Sequence, residues 1–269
     1  MGELPRPRVD VPIRPFQHCG TEFAGPLYYK ENVRRNAKLL KMYTAVFVCF
    51  ASKAVHIELS ADLTSETFLN VLKRFIARRG RPTDIYSDNA TNFFGAKNEL
   101  FKLRKMFLNE QNKTKIYDFA ANGQINWHFI PPHAPYFGGL WEAAVKSAKR
   151  SLYHVARDAS LRFNELMTLL TQVETILNSR PICSLSEDPN DLQPLTPAHF
   201  LIGAPLTSFP EPSLTQLPSY RLSRWQHVEQ IRQHFWKRWL GEYLHTLQQH
   251  IQWNKNSPNL RPGKLVILK

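Results

Sequence analysis

With 269 residues, 43% of them hydrophobic and 12% aromatic, the chain holds enough apolar material for a packed core, which excludes a disordered polypeptide. Its 35 Lys and Arg against 22 Asp and Glu leave a net charge of +13, a balance that favours a polyanionic partner through phosphate neutralisation. No run approaches the ~20 apolar residues of a membrane span, MGELPRPRVD lacks the apolar centre of a signal peptide, and Cys19, Cys49 and Cys183 have neither zinc-ligand nor disulfide-framework spacing. The expected setting is therefore a reducing one, nucleus or cytoplasm, with no membrane.

The first predicted element is a strand over 18–29, HCGTEFAGPLYY, which carries one carboxylate, Glu22, among apolar and small residues. Residues 43–50, YTAVFVCF, read as a central strand buried on both faces. In AVHIELS, Val55, Ile57 and Leu59 alternate with His56 and Glu58, the period of a half-buried strand, and the short gap makes these two strands an antiparallel hairpin. From Thr64 the period lengthens. Phe68, Val71, Leu72, Phe75 and Ile76 form one helical face, ended by Gly80 and Pro82. TDIYSD is a short strand ending at Asp88, residues 91–109 a helix, NEQNKTK a loop, and QINWHFIPP a fifth strand.

After Gly138 and Gly139, Leu140, Ala144, Val145, Ala148, Leu152 and Val155 give a helix its apolar face, and FNELMTLLTQVETILNSRP gives another, closed by Pro181. The order predicts an α/β fold: a mixed five-stranded sheet with flanking helices. Residues 181–219 hold eight of the 19 prolines and little periodicity. Beyond them Trp225, Val228, Ile231, Phe235, Trp239, Tyr243, Leu247 and Ile251 make the stripe of a long helix, read as a packing or oligomer face, and GKLVILK begins a strand. The expected division is a core over 10–182, a Pro-rich connector over 183–220, and a helical segment over 221–269 that ends at the start of a further β-domain.

Three carboxylates stand out by position: Glu22 in the first strand, Asp88 at the end of the fourth, and Glu142 in the first turn after the Gly pair. The ends of neighbouring strands lie side by side, and a helix crossing the sheet brings its first turn over them. Clustered carboxylates repel one another unless protons or cations neutralise them, and an all-oxygen set suits a hard divalent ion such as Mg²⁺. Each acid also has a plainer reading. Asp88 can open a turn or cap a helix, and Glu142 answers a helix dipole. Glu22 is the hardest to explain without a partner.

The segments GTEFAGPL, YTAVFVCFASKAVHIEL, FIARRGRPTDIYSDNATNFFGA, WHFIPPHAPYFGGLWEAAVKSAKR, ILNSRPICSLSEDPNDLQPLTPAHFLIG and RLSRWQHVEQIRQHFWKRWLGEYL, in this order, resemble the integrase region of Pao/BEL-type LTR retrotransposons. The resemblance implies a ribonuclease-H-like core and a DDE-type polynucleotidyl transferase that uses Mg²⁺, or Mn²⁺, to trim element ends and join their 3′-hydroxyls to target DNA. Asp88 matches the second acid of that family and Glu142 the third. Glu22 stands where the family has its first Asp, and Ala90 where it has Gly.

Lys146 and Lys149 follow Glu142 at i+4 and i+7 on its helix face. The implied DNA-contacting set is Asn89, Tyr136, Lys146, Lys149 and Arg150. The partners implied are element ends, target DNA and further copies of the chain, without a small-molecule cofactor. His18, His56, His128 and His133 lack ligand spacing and are read as structural. The family's upstream zinc-binding domain and C-terminal β-barrel have no counterpart in this sequence, so impaired end-joining is expected. A catalytically silent nucleic-acid-binding or oligomerisation module is the main rival, and a ribonuclease of the same fold the weaker one.

Overall fold

The computed structural model describes residues 12–32, 34, 36–87, 125–129, 148–156, 159–185 and 193–247. Strands β1 (His18–Lys30), β2 (Leu39–Cys49) and β3 (Val55–Ser60) are followed by helix α1 (Ser65–Arg79), β4 (Asp84–Ser87) and β5 (Asn126–Phe129). A helical segment over 148–156, helix α2 (Phe163–Asn178), a short ladder of β6 (Cys183–Ser184) with β7 (Pro194–Leu195), α3 (Pro197–Ile202) and the long α4 (Arg224–Leu247) complete the described elements. The sheet runs β3-β2-β1-β4-β5. β1 to β3 form an antiparallel meander and β4 and β5 join parallel to β1, so the sheet is mixed and ribonuclease-H-like, as the sequence predicts.

Strand alternation divides the core between the two faces of the sheet. Cys19, Phe23, Ala45, Phe47, Ile85 and Trp127 point to one side, where α1 covers them with Phe68, Val71, Leu72 and Phe75. Thr64 caps α1 by accepting from the Thr67 N–H, and Gly80 ends it at φ 82°, a conformation that side-chain-bearing residues rarely adopt. On the other side Leu27, Val46, Val48 and Val55 meet the 148–156 helix, α2 and α4. The α4 stripe is thereby explained through Val228, Ile231, Phe235 and Trp239, all buried against that cluster, whereas Trp225 is 60% exposed and lies off the packed face.

Three further expectations need correction. β3 is not half-buried: His56 and Glu58 are as covered as Val55 because α1 and α2 close over both sides of it. Glu58 is paired with His56 and with Arg74 and Arg78 of α1, while Glu174 of α2 reaches His56 and Arg79. β2 starts at Leu39, four residues before the apolar run, because the ladder to β1 continues through Lys41. The connector is also less featureless than its prolines imply, since Thr196 opens α3 and Gln230 and Gln233 of α4 hold the carbonyls of Leu214, Leu217 and Pro212. The helix over 91–109, the NEQNKTK loop and the GKLVILK strand lie outside the described residues.

β3 is the sheet's edge on the α2 side. Its outward groups are taken by side chains: the Val55 N–H donates to Asn178 Oδ1 and the Val55 carbonyl accepts from Asn178 Nδ2, each at 2.8 Å. The Ile57 N–H donates to Glu174, and the Leu59 carbonyl accepts from Arg74. Exposed edges invite pairing with another chain; here one turn of α2 fills that role.

Candidate functional site

The parallel pair β1/β4 runs in register from His18 opposite Asp84 to Thr21 opposite Ser87. Glu22 is the next residue of β1, and Asp88 the next residue of the chain after β4. Glu22 therefore stands at the carboxyl end of the parallel strands, the end where ligands collect in α/β sheets. The alternation that sends Thr21 and Phe23 toward α1 turns Glu22 to the opposite face, between Gly20 and Ala24 along its own strand and opposite Val46 of β2. Small neighbours leave the carboxylate room. It is only 16% exposed, and Lys149, 17% exposed, meets it in an ion pair. The Lys149 ammonium also donates to the Phe23 carbonyl at 3.2 Å.

Lys149 belongs to the 148–156 helix, whose buried Ala148 and Leu152 press on the sheet. The lysine stem helps line an apolar cavity of about 20 Å³ with Thr44, Val46, Ile57 and Val173, space for about one water. The long methylene chain lies in apolar surroundings while its head reaches the carboxylate. Arg150, one residue on, turns outward, is 65% exposed and pairs with Glu242 of α4 at 2.9 Å. Of the residues assigned from the sequence, Glu22, Lys149 and Arg150 are thus described. Asp88, Asn89, Tyr136, Glu142 and Lys146 lie outside the described residues, as do Ala90 and His133.

A second polar group went unrecognised in the sequence. Asp84 takes a hydrogen bond from His18 Nδ1 at 2.9 Å on one oxygen and from His128 Nε2 at 2.8 Å on the other, linking β1, β4 and β5. Tyr86 stacks on His128, and burial together with the Asp84 charge pushes its phenol up to about 12, so it stays a neutral donor. His18 starts β1 four residues before Glu22, roughly 13 Å away along an extended strand, so this group ties strands together at the far end of the sheet. That agrees with the structural reading of both histidines.

Among the described residues no group of three His, Cys, Asp or Glu side chains could hold a metal ion. Of the three acids Glu22 alone is described: its oxygens are of the donor type a hard divalent ion takes, but Lys149 Nζ already neutralises them, and one carboxylate does not make a metal site.

Residues 223–269 match a family of unknown function, DUF5641. The chain matches no curated protein. Among solved structures it is similar to the simian T-cell lymphotropic virus intasome in complex with the PP2A regulatory subunit B56 gamma, at 17% identity and a TM-score of 0.45 over 79% of this chain and 64% of that one. It is also similar to the magnesium complex of the HTLV-2 integrase catalytic core domain in its dimeric form, at 16% identity and a TM-score of 0.43 over 71% of this chain and 98% of that one. The trimeric form gives 18% identity and a TM-score of 0.40 over 70% and 97%. No helix among the described residues is long and apolar enough to cross a membrane.

Proposed function

We propose that the chain is an integrase-type DDE polynucleotidyl transferase of Pao/BEL retrotransposon descent, acting on DNA, with Glu22, Asp88 and Glu142 as its acids. The observation that carries this reading is the Glu22–Lys149 ion pair just past the carboxyl end of the parallel β1/β4 pairing. It joins the first acid to the helix whose chain holds Glu142 seven residues earlier, beside the strand that runs directly into Asp88. In this reading Asp88 and Glu142 join Glu22 at that end of the sheet, which the described β1, β4 and 148–156 helix support through Glu22 and Lys149 alone.

The reaction is a displacement at phosphorus. The oxygen of water or of a DNA 3′-hydroxyl forms a new P–O bond as the P–O bond to the leaving 3′-oxygen breaks; the nucleophile's proton passes to solvent and the leaving oxygen takes one up. Magnesium, when bound, supplies charge stabilisation to the attacking and leaving oxygens. Glu22, Asp88 and Glu142 furnish the oxygens that would hold it. Lys146, Lys149 and Arg150, with Asn89 and Tyr136, orient the DNA strand, and copies of the chain assemble on it. Glu22 carries one methylene more than Asp, a displacement of about 1.5 Å, and an error near 1 Å at a reacting centre costs on the order of a hundredfold in rate.

A second reading has an observation in its favour: Lys149 already neutralises Glu22, as it would in a silent nucleic-acid-binding remnant. Labelled element-end DNA incubated with Mg²⁺ or Mn²⁺ separates the two. Cleavage or joining that Glu22→Asp raises and Glu142→Gln abolishes supports the transferase. DNA binding without turnover in either metal, in wild type and Glu22→Asp alike, supports the silent module.

A further inference from the structure

β1 and β2 are longer than the sheet that contains them. β4 pairs with β1 only over His18–Thr21, and β3 pairs with β2 only over Tyr43–Val48. The remaining ladder, Leu27 opposite Met42 through Lys30 opposite Leu39, has no third strand beside it among the described residues, only the single bridge of Lys30 to Arg162. A two-stranded ribbon therefore projects past the sheet, from the same end at which Glu22 stands. The register shift between Ala24 and Leu27 reverses the alternation. Leu27 and Tyr29 consequently pack toward the helices, while Tyr28, Lys30, Leu39 and Lys41 share the opposite side.

The described residues of the ribbon and its turn include Lys30, Arg34, Lys38 and Lys41 against Glu31, a net charge of +3. Arg34, Lys38, Leu39 and Lys41 are exposed. The ribbon is braced. The Lys30 N–H donates to the Leu161 carbonyl at 2.7 Å, Tyr29 packs edge-on against Phe163, and the Glu31 N–H closes the turn on the Lys38 carbonyl at 3.1 Å.

We propose that this ribbon is a second nucleic-acid contact, an arm that grips the phosphate backbone of duplex DNA from the sheet face opposite to the one Glu22 occupies. The proposal rests on the reading that DNA is the substrate. A ladder held to Leu161 and Phe163 keeps part of its positive charge in place for phosphate neutralisation, which lowers the ordering cost of binding. A two-stranded β-ribbon has the width that DNA grooves admit, and contacts to phosphates fix register and orientation. From Glu22 to Lys30 the strand spans roughly 25 Å, about seven phosphates of one DNA strand at 3.4 Å spacing. The arm would thus hold a duplex well away from Glu22.

The test is binding of the full chain to a fluorescent duplex, without divalent metal, measured by anisotropy across a salt series. Four proteins are compared: wild type, Arg34→Gln/Lys38→Gln/Lys41→Gln, a control that removes the same charge elsewhere, Lys73→Gln/Arg81→Gln/Lys237→Gln, and a charge-retaining variant of the arm. The arm variant is expected to lower the slope of log affinity against log salt by about 2.7, since each lost phosphate contact accounts for ~0.9, and to weaken binding at least tenfold. The charge-retaining variant Arg34→Lys/Lys38→Arg/Lys41→Arg is expected to restore both. An unchanged slope in the arm variant, or an equal fall in the control, overturns the proposal. A fall confined to the arm variant in a protein that never cleaves DNA upholds the arm and sinks the transferase; cleavage with an unchanged slope does the reverse.

Discussion

Replacing Lys149 with Met removes the ammonium beside Glu22 and keeps the apolar stem. The two side chains are 17% and 16% exposed, between the limiting cases for ion pairs. Pairs in full contact with solvent couple by ~0.2 to 1 kcal/mol, and breaking a fully buried pair costs ~3 to 5 kcal/mol. The pair at Glu22 should fall between, and its lysine also loses the Phe23 carbonyl. We expect Lys149→Met to destabilise the fold by about 2 kcal/mol, and a double-mutant cycle with Glu22→Gln to give a coupling of about 1 to 2 kcal/mol. Urea unfolding at pH 7 and low salt measures both quantities. Because the orphaned carboxylate is then open to a cation, millimolar Mg²⁺ should restore more stability to Lys149→Met than it adds to wild type, by the usual linkage of binding to folding. A coupling below about 0.3 kcal/mol would refute the reasoning, since the pair would then be a solvent-dominated contact that neither locates the helix nor neutralises the acid.

Two other outcomes follow from the packing. Burial works against charge on His56, but its hydrogen bonds to Glu174 and Glu58 prevail and raise it above its ordinary value of 6.5, while both carboxylates are held below 4.5 despite their own burial, through His56 and the neighbouring arginines. The histidine's contribution is complete below pH 6.5 and is lost as pH rises through its raised value; the carboxylates' contribution is complete above pH 4.5 and is lost as pH falls through their lowered values. Urea midpoints should therefore peak between about pH 4.5 and 6.5, and His56→Gln should flatten the alkaline side; a decline of equal size in that variant would show that other groups govern it. Phe235→Ala should cost about 3 to 5 kcal/mol because this α4 ring is fully buried against the sheet-side core, and a loss under 1 kcal/mol in calorimetry or urea would show α4 to be only loosely docked.

Local periodicity made most of the fold legible. The α1 face, its Thr64 and Gly80 ends, the β2/β3 hairpin and the α2 helix needed only patterns within about twenty residues. What escaped depends on partners far along the chain. His56 and Glu58 resemble the wet side of a strand until Arg74, Arg78 and Glu174 are brought over them. Lys41 interrupts the apolar run of β2, so its extension back to Leu39 appears only when β1 lies beside it. Cys19 and Cys49, far apart in sequence, are directly opposed across β1 and β2 as buried free thiols. Glu22 and Lys149 were each singled out, but helical spacing tied the lysine to Glu142, and the pairing between them was missed. A carboxylate in a strand interior calls for a nearby counter-charge, and that demand was the available clue.

The turn of α2 that carries Glu174 and Asn178 imitates a sixth strand without being one. A sheet finished in this way is closed to growth on that flank, so a second molecule arriving there meets amide and carboxylate groups already spoken for. Assembly by strand pairing must then use another edge, and a lesion that unseats α2 would uncover the β3 edge and invite pairing with a second chain.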